Sequence, residues 1–234
     1  STNILLGGLM ANTETTINAV INPQLNDTPI DIEKTIKALE RNKFVVNYFE
    51  TGVEAVNYLQ SRIQDKSVAI GDSRTLMELK VHDALSEVNK DITDIQRPLP
   101  GESFRDTALR TMGREVFLTS VNALAQTGEM VNIDGTGNRV AASLFGSQEV
   151  FFVLGRNKIT PDLASAIYRA RNVAAPLNSK KNKKSSLNPC AKLEEKCYNC
   201  SSPDRICNAL TIYYKKMRNM QTMEVIIINE DLGF

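Results

Sequence analysis

All four cysteines of the 234-residue chain lie in one segment near its C-terminal end, spaced Cys190-x6-Cys197-x2-Cys200-x6-Cys207. A C-x-x-C pair lets two thiolates of one tight turn face the same metal ion, and flanking cysteines can complete a tetrahedral set. Four thiolates are also the donor set of an iron–sulfur cluster. We therefore predict a metal site formed by these cysteines, holding zinc or a [4Fe-4S] cluster, between which the spacing does not decide.

Two alternatives to a metal site are disulfide bonds and four unrelated thiols. The chain does not open with a hydrophobic signal segment, so we expect a cytoplasmic protein, in which clustered cysteines are more often ligands or redox groups than disulfides. The only histidine, His82, lies far from the cysteines in the sequence, so the thiolates would supply every ligand. A single histidine also gives little support to a serine-hydrolase triad.

A second kind of chemistry is indicated by residues 71–76, GDSRTL, which follow a predicted strand and open a predicted helix. Ser73 and Thr75 offer hydroxyls, Arg74 offers a charged fork, and the helix start offers free backbone amides. Such a loop can bind phosphate or carboxylate. The alternative is that Asp72 or Ser73 only caps the helix.

Two further loops carry polar residues after predicted strands. The first contains Asn122, Thr127 and Glu129. The second is a glycine-rich turn followed by the start of a helix, with the candidate ligand-binding residues Asp134, Gly135, Gly137, Asn138 and Arg139. The glycines indicate a tight turn with positive φ. Glu129 and Asp134 are the candidate catalytic acids or bases. The turn lacks the third glycine of a dinucleotide fingerprint, and the chain has no P-loop.

The composition limits the choice of ligand. A formal net charge of +1 argues against a nucleic-acid partner, which would require a concentrated basic surface. The apolar runs, such as EVFFVLG, are far shorter than the roughly 20 residues that cross a bilayer, so we expect no membrane attachment. A small anionic metabolite is the expected partner.

The remaining sequence supplies the elements that would position these residues. Short apolar segments such as SVAIG, EVFFVLG and MEVIIIN alternate with helical patterns. This alternation predicts an α/β fold with a mainly parallel, Rossmann-like sheet covered by helices. We divide the chain into a lead-in with one helix (residues 1–30), an α/β domain (31–180), a basic linker with the four-cysteine segment (181–222) and a last strand that returns to the sheet (223–234).

The stretches DGTGNRVAA, CSSPDRIC and the closing EVIIINEDLGF resemble the LUD-domain family of lactate-utilization proteins, over about residues 32–234. The resemblance implies a fold similar to that of ribose-5-phosphate isomerase, glucosamine-6-phosphate deaminase and the CoA-transferases. It also implies a place near L-lactate oxidation, alongside iron–sulfur partner subunits. Asp72 departs from the family pattern, since many members have glycine there, and its carboxylate should weaken the binding of an anion.

Three functions are therefore open. The favoured one is an accessory or redox subunit in the oxidation of L-lactate or another 2-hydroxy acid. The alternative is an enzyme or binder for a small ligand that carries phosphate or carboxylate, with a structural zinc. The third is an interaction module stabilised by zinc.

Overall fold

The computed structural model describes residues 26–183, 185–193 and 196–234. Most of the expected lead-in, together with its predicted helix, lies outside the described residues. The first described helix begins directly after Asp31, whose carboxylate accepts a hydrogen bond from the backbone N–H of Lys34 at 3.0 Å. This is an ordinary N-cap.

Helices and strands alternate along the described chain, as the sequence predicts. The helices are α1 (Ile32–Arg41), α2 (Gly52–Arg62), α3 (Arg74–Glu78), α4 (Val81–Ser86), α5 (Phe104–Thr111), α6 (Asn138–Leu144), α7 (Leu163–Arg169), α8 (Ala175–Lys181) and α9 (Pro189–Leu193). The strands are β1 (Val45–Phe49), β2 (Ser67–Ile70), β3 (Asp91–Asp94), β4 (Val116–Thr119), β5 (Ala123–Ala125), β6 (Met130–Asp134), β7 (Glu149–Gly155), β8 (Ile159–Thr160), β9 (Ala209–Tyr213) and β10 (Thr222–Ile228).

The main sheet has six strands in the order β1-β10-β7-β4-β2-β3, and every neighbouring pair is parallel. Successive side chains of a strand point to opposite faces. Accordingly Phe152 and Ile227 pack into the core on one face, whereas Phe151 and Ile226 pack into the core on the other. A sheet buried on both faces explains why β7 and β10 read as continuous apolar runs. The predicted α/β fold with a mainly parallel sheet is confirmed.

A second, smaller sheet has the order β8-β5-β6-β9 and mixes parallel and antiparallel pairs. The segment after β4 was expected to continue as a loop, but Ala123–Ala125 forms β5 of this second sheet. Ala209–Tyr213, within the predicted linker and cysteine segment, forms β9 and pairs with β6. Strand β9 has the sequence ALTIY, and its residues pass from exposed at Ala209 to buried at Tyr213.

The pattern TPDLASAIYRARNVAAPL predicts one long helix that has Thr160 as its N-cap and ends at Pro176, and the structure differs from it in two respects. Its N-cap is Asp162, which accepts a hydrogen bond from the Ser165 N–H, while Thr160 belongs to β8. Pro176 was expected to stop the helix, yet the chain passes from α7 through a π-helical segment, Ala170–Ala174, into α8. Local widening of a helix to the π form can accommodate an interruption of its hydrogen bonds, so Pro176 is tolerated at the start of α8.

Parallel strands bring their carboxyl ends to one edge of the sheet, where ligands bind in open α/β folds. The loops after β2, β4 and β7 therefore share one edge with the start of α6. None of the helices in the described part of the chain combines the length and apolar character that a bilayer crossing requires.

Candidate functional site

A cavity of about 470 Å³ lies at this edge of the main sheet. Its wall brings together the loop after β2, the loop after β4, the turn between β6 and α6, and the helix α8. Of the residues predicted from the sequence, the cavity is lined by Ser73, Arg74, Asn122, Asp134, Gly135, Asn138 and Arg139. Three loops that are distant in sequence thus meet at one site.

The hydroxyl groups of the loop after β2 form hydrogen bonds within the protein. Ser73 is buried, and its Oγ accepts a hydrogen bond from the Leu76 N–H at 3.3 Å, so it caps α3. Thr75 is fully buried behind the cavity wall. Arg74 is exposed and its Nε donates to Glu78 Oε1 at 2.9 Å. The capping interpretation of this loop is therefore correct for Ser73, and Arg74 is the residue of the loop that offers charge to the cavity.

The turn between β6 and α6 is held by Asp134. Its carboxylate accepts hydrogen bonds from the backbone N–H groups of Gly135, Arg139 and Val140 at 2.9–3.1 Å. These bonds stabilise the carboxylate and satisfy the start of α6. Asp134 thus has a structural task, which makes it a poor candidate for an acid or base.

The two glycines of this turn serve different purposes. Gly137 has φ 84°, the positive value that the sequence predicts. Gly135 does not have a positive φ; it is needed because a Cβ there would lie 2.8 Å from the Ile206 carbonyl oxygen. Gly135 therefore allows the end of the cysteine segment to pack against the turn.

Arg139 is the best-placed cation of the predicted set. Its side chain is 16% exposed and lines the cavity. Its Nη2 donates to the Ile133 carbonyl at 2.7 Å, and its Nη1 reaches the Asp72 carbonyl only at 3.5 Å. The nearest carboxylate contact of the guanidinium, to Asp134, is 4.0 Å long. The guanidinium is oriented by the backbone and remains available to an anion.

Lys158 is a functional candidate that the sequence reasoning missed. It follows β7 in a short 3₁₀ turn, is 4% exposed, and lines the cavity. Its Nζ donates to Thr75 Oγ1 at 3.0 Å and to Ser120 Oγ at 3.1 Å. Its position directly after the carboxyl end of a buried strand was the available signal, because that is where ligands bind in such sheets.

The surroundings of Lys158 disfavour a charged amine. Burial, together with the positive charges of Arg169 and Arg139, lowers the pKa of Lys158 to about 7. Arg169 is itself partly buried, and the loss of hydration lowers its pKa to about 10; its guanidinium donates to the carbonyls of Asn157 and Asn122. Near neutral pH a substantial share of Lys158 is therefore the free amine, which can act as a base or nucleophile.

Asp72 lies at the rim of the cavity, where its Oδ1 accepts a hydrogen bond from Gln96 at 2.5 Å. Loss of hydration within the cavity walls raises the pKa of Asp72, while the nearby Arg139 opposes that rise. The expectation that Asp72 repels an anion is accordingly weakened, since Arg139 compensates its charge.

Thr127 and Glu129 do not join this site. They lie in the turn between β5 and β6, where their side chains bond to each other, and neither lines the cavity. Asn122 does line it, but its Oδ1 accepts the Ile133 N–H at 2.7 Å and so ties two loops together. His82 lies on α4 beside Asp94 and is also absent from the cavity wall.

The four cysteines are free thiols that lie near one another. Burial raises the pKa of the Cys190 thiol, and the negative charges of Cys197, Cys200 and Cys207 raise it further. Two donors point at the Cys197 sulfur: the Asn199 N–H at 3.3 Å and Arg171 Nη2 at 3.6 Å. Among the described residues, no three histidine, cysteine or carboxylate side chains converge at ligand distance.

Two comparisons with known proteins gave a match. Among solved structures the chain is similar to a DUF162 family protein from Deinococcus radiodurans, with 13% identity over 86% of this chain and 99% of that chain, and a TM-score of 0.49. That likeness is too remote to inform the site. The search of curated proteins gave no match. The family model of the LUD domain matches residues 32–228, and the chain therefore belongs to the LUD-domain family.

Proposed function

We propose that the protein binds and acts on a small metabolite bearing a carboxylate or phosphate group in the cavity at the sheet edge. The observation that carries this proposal is the basic wall of the cavity, formed by Arg74, Arg139, Lys158 and Lys181. Among the described residues, two side-chain carboxylates share the wall. That of Asp134 is engaged by three backbone N–H groups, and that of Asp72 lies beside Arg139.

The size and character of the cavity agree with this proposal. A volume of about 470 Å³ lies within the range of about 300–1,000 Å³ that is usual for small-molecule sites. Low hydration beside the buried Lys158 strengthens the attraction between a cationic wall and a bound anion. Fixed backbone partners hold Arg139 in place before a ligand arrives, which reduces the entropy lost on binding.

The test measures binding by titration calorimetry for L-lactate, pyruvate, ribose 5-phosphate and an acyl-CoA. We expect one of these classes to bind the wild-type protein. Arg139→Met should weaken binding about 10-fold to 100-fold, because a hydrogen bond to a charged group contributes about 1.5–3 kcal/mol.

The matched control is Arg41→Met, which removes an equal charge from an exposed position at the end of α1, outside the basic wall. This variant should bind as the wild type does. Absence of binding by every class, or equal weakening in both variants, would contradict the proposed site.

A second function is favoured by the cysteine segment: the chain holds a metal centre and serves as a redox or accessory subunit in 2-hydroxy-acid oxidation. It is supported by the proximity of the four thiols and by the two hydrogen-bond donors that orient the Cys197 sulfur. A [4Fe-4S] cluster would supply electron transfer to iron–sulfur partner subunits, whereas zinc would stabilise the fold.

Metal analysis of protein purified without oxygen tests this second function. Iron with broad visible absorbance supports the redox subunit, and zinc alone supports the structural centre. Cys197→Ser should lose the metal, whereas a serine replacement outside the segment, Thr127→Ser, should retain it. Protein free of both metals would contradict the site. The cytoplasmic location and the absence of a nucleic-acid partner stay predictions.

A further inference from the structure

The Lys158 amine is oriented by two hydroxyls that accept its hydrogens. Thr75 Oγ1 and Ser120 Oγ lie 3.0 and 3.1 Å from Nζ. Each hydroxyl has an acceptor of its own: Thr75 donates to the Leu232 carbonyl, and Ser120 is within 3.5 Å of the Val121 carbonyl. The hydroxyl oxygens are thus free to accept from the amine, and the amine uses two of its N–H groups on them.

This arrangement suits a neutral amine. An ammonium group has three N–H donors, and within the described residues only two hydrogen-bond acceptors are found for Lys158. A neutral amine has two N–H donors and one lone pair. When both donors are held by Thr75 and Ser120, the lone pair has no partner among the described residues, and Lys158 lines the cavity.

The charges around the amine keep it reactive. No ion pair to a carboxylate is found for Lys158 among the described residues. The nearby cations Arg169 and Arg139 disfavour protonation and outweigh the more weakly acting charge of Glu78, which favours it. A lysine that is desolvated beside other cations is the usual form of an amine nucleophile. Arg139, on the same wall, is suited to hold a carboxylate through its planar guanidinium.

We propose that Lys158 forms an imine with the carbonyl carbon of a 2-oxo acid whose carboxylate is held by Arg139. This inference rests on the proposed binding of a small anion in the cavity and names its class. We infer the carboxylate of the ligand from the guanidinium of Arg139, which is suited to bind it. We infer the adjacent carbonyl group from the Lys158 amine, whose lone pair can attack it. The sheet edge supplies both groups to one small molecule.

The step is balanced without a further reactant. The Lys158 lone pair attacks the carbonyl carbon, a C–N bond forms, and the carbonyl oxygen takes a proton to give a carbinolamine. Loss of the nitrogen proton and of the hydroxyl group as water then yields the imine. Thr75 and Ser120, in contact with Nζ, are placed to pass these protons. The products are one imine and one water molecule.

Reductive trapping tests the proposal. The full-length protein is incubated with pyruvate and sodium cyanoborohydride from pH 6 to pH 9, and the adduct is located by intact-mass and peptide mass spectrometry. We expect one adduct per chain, at Lys158. At pH 7 it should form about 100-fold faster there than at exposed lysines, whose ordinary pKa of about 10.4 leaves almost none of the free amine.

Two variants and one competitor complete the design. Lys158→Arg keeps a long basic side chain but loses the nucleophile, so the adduct should disappear. Lys37→Met removes an exposed lysine of α1 and should leave the adduct unchanged. L-lactate, which has the carboxylate but no carbonyl, should slow the labelling of Lys158 by competition. If Lys158→Arg does not fold, the peptide map of the wild type still locates the adduct.

The outcomes separate this inference from the function on which it rests. Pyruvate binding in the calorimeter without an adduct at Lys158 overturns the imine and leaves the anion site standing. Labelling spread evenly over surface lysines also overturns it. An adduct at Lys158 with ribose 5-phosphate but not with pyruvate overturns the 2-oxo acid as the substrate class. If no class of ligand binds in the calorimeter and no adduct forms at Lys158, both the imine and the anion site are contradicted.

Discussion

Lys158 is a charged residue type placed where charge is disfavoured. Burial in the cavity wall and the neighbouring cations lower its pKa to about 7. Such a position costs folding free energy, which is common at sites where function and stability conflict. The pH dependence of unfolding therefore reports directly on this residue.

We predict that the unfolding free energy of the wild type rises with pH relative to that of Lys158→Met. Below pH 7 the lysine is protonated in both states, and the folded state bears the full cost of the buried charge. Between pH 7 and about 10.5, the unfolded state keeps a proton that the folded state lacks. Stability then increases by up to about 1.4 kcal/mol per pH unit.

Urea unfolding at pH 6, 7, 8 and 9 measures this slope. Lys37→Met should show the same slope as the wild type, since Lys37 is exposed. Parallel curves for the wild type and Lys158→Met would show that the amine keeps an ordinary pKa.

At the scale of elements, the cavity depends on how closely the end of β7 packs against the segment after β10. Gly155, the last residue of β7, has no room for a side chain. A Cβ there would collide with the Glu230 carbonyl oxygen and lie 2.7 Å from the Leu232 nitrogen. Both are backbone atoms, which cannot rotate away. The carbonyl oxygen of Leu232 in turn accepts a hydrogen bond from the hydroxyl of Thr75, which is one of the two hydrogen-bond partners of Lys158.

We predict that Gly155→Ala destabilises the protein by about 2–3 kcal/mol, because overpacking against backbone forces the elements apart. The same substitution at Gly113, which has φ 71° and open space around its Cα, should cost about 1 kcal/mol through its backbone conformation alone. Thermal unfolding of both variants makes the comparison. Equal losses of stability in the two variants would show that the backbone around Gly155 shifts easily to make room for a Cβ.

At the scale of the whole molecule, the cysteine segment and the cavity share a wall. Ile206 lines the cavity, and Asn208 donates to the carbonyl of Gly135 at 3.0 Å. Arg205 orders the preceding turn by donating to the carbonyls of Cys200 and Cys207 at 2.6 and 2.9 Å. The two candidate sites are therefore mechanically connected.

We predict that Arg205→Met changes both sites. Without the guanidinium the turn loosens, so the thiols should react with a disulfide reagent about fivefold faster, and the ligand affinity of the cavity should fall by a similar factor. Arg41→Met is the control and should alter neither quantity. A faster reaction of the thiols with an unchanged ligand affinity would show that the shared wall does not couple the two sites.

The sequence predicted those features that are local. The apolar runs of β7 and β10 and the start of α1 at Asp31 depend on neighbouring residues, and the sheet follows from their alternation. Lys158 was missed because its burial depends on Thr75 and Ser120, which come from two other loops. Thr127 was assigned to the site because its loop is polar, yet the β5–β6 turn carries it elsewhere.

The position of β10 has a consequence for biosynthesis. This strand pairs with both β1 and β7, so it joins β1, which lies far before it in the chain, to the rest of the sheet. Until Thr222–Ile228 has emerged from the ribosome, β1 has no partner among the described strands and β7 has one bare edge. An unpaired strand edge favours association with other chains. Newly made protein should therefore depend on chaperones until β10 closes the gap.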